Sequence, residues 1–159
     1  MRDFGKTGMK IKRVGFGGIP IQRISQEDTN KVIDELEKCG VNFIDTARGY
    51  TVSEEYLGNA LKGRREKFYI ATKSMSRDYE SMKRDIEISL KNLQTDYIDL
   101  YQMHNVKPAE YDTLFGEDKA YRALLEAKEQ GKIKHIGITS HGLETVEKAV
   151  ESGKFETIQ

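Results

Sequence analysis

Four ionisable residues stand at positions where their chemistry could combine. Asp45 closes the apolar run Phe43-Ile44, Tyr50 follows on a loop, Lys73 closes Tyr69-Ile70-Ala71-Thr72, and His104 ends the run Tyr97 to Met103. Taken singly, each has an ordinary reading: a turn aspartate, a packed tyrosine, a solvated lysine at a strand end, a core histidine. Taken together they form a specific set. A free phenol has a pKa of ~10 and is a poor acid at neutral pH. An ammonium beside it favours the phenolate and lowers that value. An aspartate paired with the lysine keeps it charged and in place. A histidine next to the phenol can hydrogen-bond the same substrate oxygen and help to move a proton. The result is a proton donor aimed at a carbonyl oxygen that is becoming an alkoxide. No side chain donates hydride, so carbonyl reduction by this set implies a nicotinamide cofactor.

Such a set needs three neighbouring strands that end at one rim, and the sequence supplies strands and helices in strict alternation. Met9 to Lys12, after Lys6-Thr7-Gly8, reads as part of a small hairpin. Val14 to Gly17 is a first strand, and Ser25 with Asp28 opens a helix to Lys38 with Val32, Ile33 and Leu36 on one face. Val41 to Ile44 is the next strand, and Ser53 caps a helix with Glu54 and Glu55 in its first turn. Phe68 to Thr72 is a strand, and Asp78 opens a helix whose apolar face is Met82, Ile86, Leu90 and Leu93. Ile98 to Met103, then a helix to Gln130 with Leu124 and Leu125 inward, then Ile133 to Thr139 continue the pattern. Gly142 to Ser152 reads as a helix with Leu143, Val146 and Val150 facing in, and Thr157 to Gln159 begins a sixth strand. Repeats of this length imply parallel strands with right-handed crossovers.

Two α/β architectures fit that pattern. A doubly wound sheet needs a glycine-rich turn leading straight into its first helix; here Gly15-Phe16-Gly17-Gly18 leads instead into Ile19-Pro20 and a loop. A (β/α)8 TIM barrel places its chemistry on the carboxyl ends of several strands, which is the pattern seen. The expected fold is therefore a (β/α)8 barrel, of which residues 1–159 supply the first five to six βα units as one N-terminal portion without an internal linker. On that reading the remaining half of the barrel, or self-association, must cover the inner face and the strand edges.

The bulk properties narrow the partners. Lys and Arg number 26, as do Asp and Glu, so nothing draws the chain to nucleic acid or an anionic membrane. No apolar run approaches the ~20 residues that span a bilayer. The single cysteine, Cys39, fits a reducing cytoplasm and reads as a small packed apolar residue at a helix end. The three histidines, His104, His135 and His141, lack metal-ligand spacing, so no metal site is expected.

The ordered motifs resemble those of the aldo-keto reductase family. The likeness runs through Phe43-Ile44-Asp45-Thr46-Ala47 with Tyr50, then Ser53-Glu54 and Leu57-Gly58, and Ala71-Thr72-Lys73. It continues with Asp96 to Tyr101 before His104, and Gly131-Lys132-Ile133 before Ile136-Gly137-Ile138-Thr139-Ser140. It covers nearly the whole chain. The resemblance implies a (β/α)8 barrel that reduces aldehydes or ketones with NADPH, or with NADH. It implies a catalytic tetrad of Asp45, Tyr50, Lys73 and His104, with Tyr50 as acid, Lys73 and Asp45 tuning it, and His104 orienting the carbonyl. For the cofactor it implies Gly18 and Ile19 near the nicotinamide, with Asp45, Ser140, His141 and Gln159 at the same end. His141 stands where the family usually has asparagine, and Thr51 where glycine often follows the tyrosine. The Gly17 to Pro20 and Thr139 to His141 details also resemble a microbial subgroup with a C-terminal ferredoxin-like iron–sulfur segment. Barrels of this family serve as sensor subunits too, so a nicotinamide- or partner-binding module with little turnover is the alternative.

Overall fold

Ile70 and Thr72 face one side of a strand and Ala71 and Lys73 the other, and that alternation organises the whole molecule. The computed structural model describes residues 1–159. The chain opens with an antiparallel pair, β1 (Arg2–Asp3) and β2 (Lys10–Ile11), with Arg2 opposite Ile11. Six parallel strands follow: β3 (Phe16–Gly17), β4 (Phe43–Asp45), β5 (Tyr69–Ser74), β6 (Ile98–Met103), β7 (Ile133–Ile138) and β8 (Thr157–Ile158). They pair in chain order, leaving β3 and β8 as the sheet edges. Between them lie α1 (Gln26–Lys38), α2 (Ser53–Ala60), α3 (Tyr79–Leu93), the short α4 (Pro108–Tyr111), α5 (Ala120–Glu129) and α6 (Leu143–Ser152). This is the (β/α)8 pattern through its sixth strand, with the sheet curled and the helices on its outside. No helix is long and apolar enough to cross a membrane.

Local chemistry sets the helix starts. The Ser25 side chain accepts the Asp28 amide at 3.0 Å, and the Asp78 carboxylate accepts the Ser81 amide at 2.9 Å, each satisfying one orphan donor of a first turn. The apolar faces of the helices meet the outward side chains of the strands. Ile44, Ile70, Tyr101, Met103, Ile136 and Ile138 form one buried cluster with Leu57, Met82, Ile86, Leu93 and Leu124. The α2–α3 contact is close enough to require glycine: a Cβ on Gly58 would lie 2.2 Å from the Asn92 carbonyl oxygen. On the inner face, only Met9, Ala71 and Leu100 form a buried apolar cluster, flanked by Phe4, Phe43 and Tyr69. The β1–β2 hairpin thus closes the amino-terminal end of the strands, with the Phe4 and Phe43 ring centroids 5.4 Å apart.

Four local expectations are corrected. Ser53 does not cap α2; its hydroxyl is buried and donates to the Gly18 carbonyl at 2.9 Å, with Thr46 Oγ1 at 2.8 Å. In α6 the buried positions are Thr145 and Ala149, while Leu143 and Val150 are 71 % and 64 % exposed, because this helix packs with one narrow side against β8 and α4. Leu125 is exposed where Leu124 is buried, since α5 presents one face to α3 and β7. Cys39 is exposed, at the C-terminal cap of α1 rather than within its apolar face.

Candidate active site

Parallel register and alternation bring Asp45, Lys73 and Gln102 to the inner face at the carboxyl ends of β4, β5 and β6, where Lys73 lies opposite Gln102. Lys73 is buried, and its ammonium donates to Asp45 Oδ2 at 2.6 Å and to the Thr46 carbonyl at 2.8 Å. A buried ammonium needs such partners, or it would lose its charge. Tyr50 lies over this pair, with the Lys73 Nζ 5.1 Å from its ring centroid. His104 meets the same phenol edge to face, ring centroids 6.0 Å apart. The loop after β6 is pinned in place, for the His104 amide donates to the Ser74 carbonyl and the Asn105 amide to Thr139 Oγ1, each at 2.8 Å.

These side chains line a cavity of about 190 Å3 with Thr139, Ser140, His141 and Gln159. Asp45, Tyr50, Lys73, His104, Ser140, His141 and Gln159 therefore share one space. Gly18 and Ile19 do not join it. The Gly18 amide donates to the Asp45 carbonyl at 2.6 Å, and Gly18 seats the chain against β4, where a Cβ would come 3.0 Å from that oxygen. Ile19 begins a 3-10 turn and is 48 % exposed.

Two site residues escaped sequence reasoning. Gln102 is buried, its side-chain amide 3.3 Å from Asp45 Oδ1 and 3.5 Å from Gln159 Oε1. Thr139 holds the β6 loop through the Asn105 amide. The signal for Gln102 is the period of two that places it on the same face as His104; for Thr139 it is the polar residue closing a strand beside Ser140.

Electrostatics modify the expected chemistry. The Tyr50 phenol is pushed up, first by burial and then by the Asp45 charge, instead of being drawn down by Lys73. The reason is visible in the geometry: the Asp45 carboxylate is in direct contact with the ammonium and offsets its field at the phenol. Burial also raises Asp45 itself, against the opposing pull of Lys73 and Gln102. His104 is lowered to about 4, by burial first and then by the charges of Lys73, Arg77 and His141. It is therefore neutral at pH 7, and its buried Nδ1 has no hydrogen-bond partner in the protein. Thr51, next to the phenol, sits at φ 43°, in the left-handed region that favours glycine.

The family model described as "Aldo/keto reductase family" matches residues 13–159. The chain belongs to the aldo/keto reductase family. Among the chain's relatives, the L-galactose dehydrogenase of Arabidopsis thaliana is 32 % identical over 154 residues, covering 87 % of this chain and 48 % of that protein. The methylglyoxal reductase DkgA of Escherichia coli K12 is 32 % identical over 137 residues, covering 84 % of this chain and 48 % of that protein. The structure of the aldo-keto reductase AKR11C1 from Bacillus halodurans, in its holo form, superposes with a TM-score of 0.83 at 29 % identity, over 94 % of this chain and 53 % of that one. The chain thus spans about half the length of the curated relatives it matches.

The remaining site residues suit the carboxamide of a nicotinamide. The Ser140 hydroxyl donates to the Val106 carbonyl at 2.7 Å and accepts the Gly142 amide at 3.0 Å, which leaves one acceptor position. His141 and the Gln159 amide line the same cavity and each offers both a donor and an acceptor. A carboxamide presents the complementary pair.

Proposed function

We propose that this protein reduces a small, polar aldehyde or ketone to an alcohol, using NADPH or NADH. The observation that carries this reading is the phenol of Tyr50 standing over a buried Lys73–Asp45 pair, beside a neutral His104, in one cavity. Ser140, His141 and Gln159 would hold the nicotinamide carboxamide. When bound, a reduced nicotinamide supplies hydride.

The protein's own residues do the rest. His104, uncharged at neutral pH, donates a hydrogen bond to the carbonyl oxygen and fixes its direction. Tyr50 keeps its proton at neutral pH, because burial and Asp45 raise its pKa. As negative charge grows on the substrate oxygen, that oxygen becomes the stronger base and takes the phenolic proton. Lys73, fixed between Asp45 and the Thr46 carbonyl, then faces the new phenolate and stabilises it without having to move. The ammonium thus offsets part of the cost that burial and the Asp45 charge place on the phenolate. The polar lining supports a polar substrate, and the relatives named for L-galactose and methylglyoxal support the same class.

The test is oxidation of NADPH, and of NADH in parallel, by the purified protein with a panel of short aldehydes, ketones and aldoses. Turnover that Tyr50→Phe abolishes is the expected result. Cofactor binding without oxidation above background across the panel would replace the reductase by a sensor module.

A further inference from the structure

The loop that carries Tyr50 is anchored on the outside of the sheet as well as the inside. Arg48 precedes Tyr50 by two positions, and its amide donates to the Lys73 carbonyl at 2.9 Å. Its guanidinium lies between two carboxylates from different helices: Nη1 is 3.7 Å from Glu54 Oε2 of α2, and Nε is 4.0 Å from Asp85 Oδ1 of α3. Arg48 Nε is buried with no hydrogen bond of its own, so its hold is one of charge. Both carboxylates are themselves fixed. Glu54, 1 % exposed, accepts the Thr72 hydroxyl at 2.8 Å and the Asn92 amide at 3.3 Å. Asp85 accepts the hydroxyls of Ser74 at 2.5 Å and Ser76 at 2.6 Å.

Strand β5 explains the pairing. Its alternate residues point to opposite faces. Thr72 and Ser74 hold Glu54 and Asp85 outside the sheet, while Lys73 holds Asp45 inside. The loop from Ala47 to Val52 straddles the end of this strand, with Arg48 over the outer carboxylates and Tyr50 over the inner pair. A buried carboxylate such as Glu54 demands a cation nearby, and Arg48 is the one that the structure places against it. Arg48 cannot leave without stranding that charge, and Tyr50 is tied to it through one intervening residue.

We propose that Arg48 is a positioning residue, whose guanidinium, clamped between Glu54 and Asp85, sets the height of the Tyr50 phenol above Lys73. The proposal rests on Tyr50 as the proton donor, but its first readout needs no turnover. Protein labelled with carbon-13 in its tyrosines reports each phenol by NMR, and Tyr50→Phe identifies the resonance. In the native protein the Tyr50 midpoint lies above the ordinary value of ~10. In Arg48→Met the loosened loop lets the ring move into solvent and away from Asp45, and the midpoint falls back toward the ordinary value. In the reductase assay, kcat falls roughly tenfold or more with KM little changed, as expected for a misplaced acid. Arg48→Lys keeps the charge but not the fork that reaches two carboxylates, so both readouts fall between. An unchanged Tyr50 midpoint in folded Arg48→Met overturns the proposal. If Arg48→Met fails to fold, an unchanged midpoint in Arg48→Lys overturns it equally. A protein that reduces no carbonyl compound overturns the reductase reading, while the Tyr50 midpoint still decides the clamp.

Discussion

The two faces of the sheet are built on opposite terms. Outside, the strands and helices enclose a continuous apolar core in which Ile44, Ile70, Ile86, Leu93 and Leu124 are all buried. Inside, the buried apolar group has only three members, and the space above them holds an ammonium, two carboxamides and a carboxylate. The outer face carries most of the hydrophobic free energy of folding, at roughly 25 cal/mol per Å2 of apolar area buried. The inner face is less favourable to build, because each buried polar group must be desolvated and then satisfied. Stability and chemistry are thus placed on opposite sides of the same strands. Substitutions on the two sides should fail in different ways.

The largest effect expected is on chemistry. Tyr50→Phe removes the proposed proton donor and keeps the ring, so carbonyl reduction should drop by about 10²–10⁴-fold. The folding free energy should change by less than ~0.5 kcal/mol, since the hydroxyl faces the cavity. Ile86→Ala on the outer face should do the reverse. It leaves a cavity in the helix–sheet core and should cost about 2–5 kcal/mol in urea unfolding, with turnover per folded molecule unchanged. A Tyr50→Phe protein that melts like Ile86→Ala, or an Ile86→Ala protein that loses kcat, would erase the distinction between the faces.

A smaller effect separates the faces by pH. His104 has a folded pKa of about 4 against ~6.5 for a free histidine. Between those values the unfolded chain takes up the proton and the folded chain does not. The stability tied to this residue is therefore complete above pH ~6.5 and is lost as pH falls through about 4. His104→Gln should flatten that part of the curve. Subtracting the two curves removes the carboxylates, including Asp45, which titrate in the same range. If the protein is a reductase, its kcat/KM profile should be level across neutral pH. It should fall near 4 as His104 becomes charged, and above ~10 as Tyr50 loses its proton. A histidine that titrates near 6.5 would mean an open, solvated inner face.

The contrast between faces also explains what the sequence revealed. Outer packing follows period: Met82, Ile86, Leu90 and Leu93 repeat at helical spacing and are all buried. Asp45, Lys73 and His104 were legible because each closes an apolar run, and the period of two then assigns them a common rim. Tyr50 sits on a loop, where no period applies; what singled it out was the acid chemistry of a phenol close to Asp45 and Lys73, and then the family likeness. Polar residues in the second layer were the hardest to read. Glu54 looks like a solvated first-turn acid and is instead buried against Thr72. Ser53 looks like a cap and is instead tied to Gly18. Their partners lie on other elements, which local pattern does not specify. Leu143 and Val150 failed for a related reason, because an apolar stripe shows which face can be buried but not whether a neighbour is there to cover it.

The smallest effect tests how tightly the phenol is held. Thr51 adopts φ 43°, a conformation that costs a β-branched residue roughly 1–2 kcal/mol. Thr51→Gly relieves that strain but gives the unfolded chain more freedom, at a cost of roughly 0.5–1 kcal/mol. The two nearly cancel, so the melting temperature should rise by no more than a few degrees. Catalysis need not follow stability here. A glycine beside Tyr50 adds backbone freedom at one of the two residues, Thr51 and Val52, that separate the phenol from α2 and its buried Glu54 on the C-terminal side. If the Arg48 anchor on the N-terminal side is sufficient, kcat in Thr51→Gly stays within about twofold of the native value, less than the loss a misplaced acid would bring. A tenfold loss of kcat in a protein of unchanged stability would show that the left-handed threonine, not the guanidinium, holds the phenol in register with Lys73.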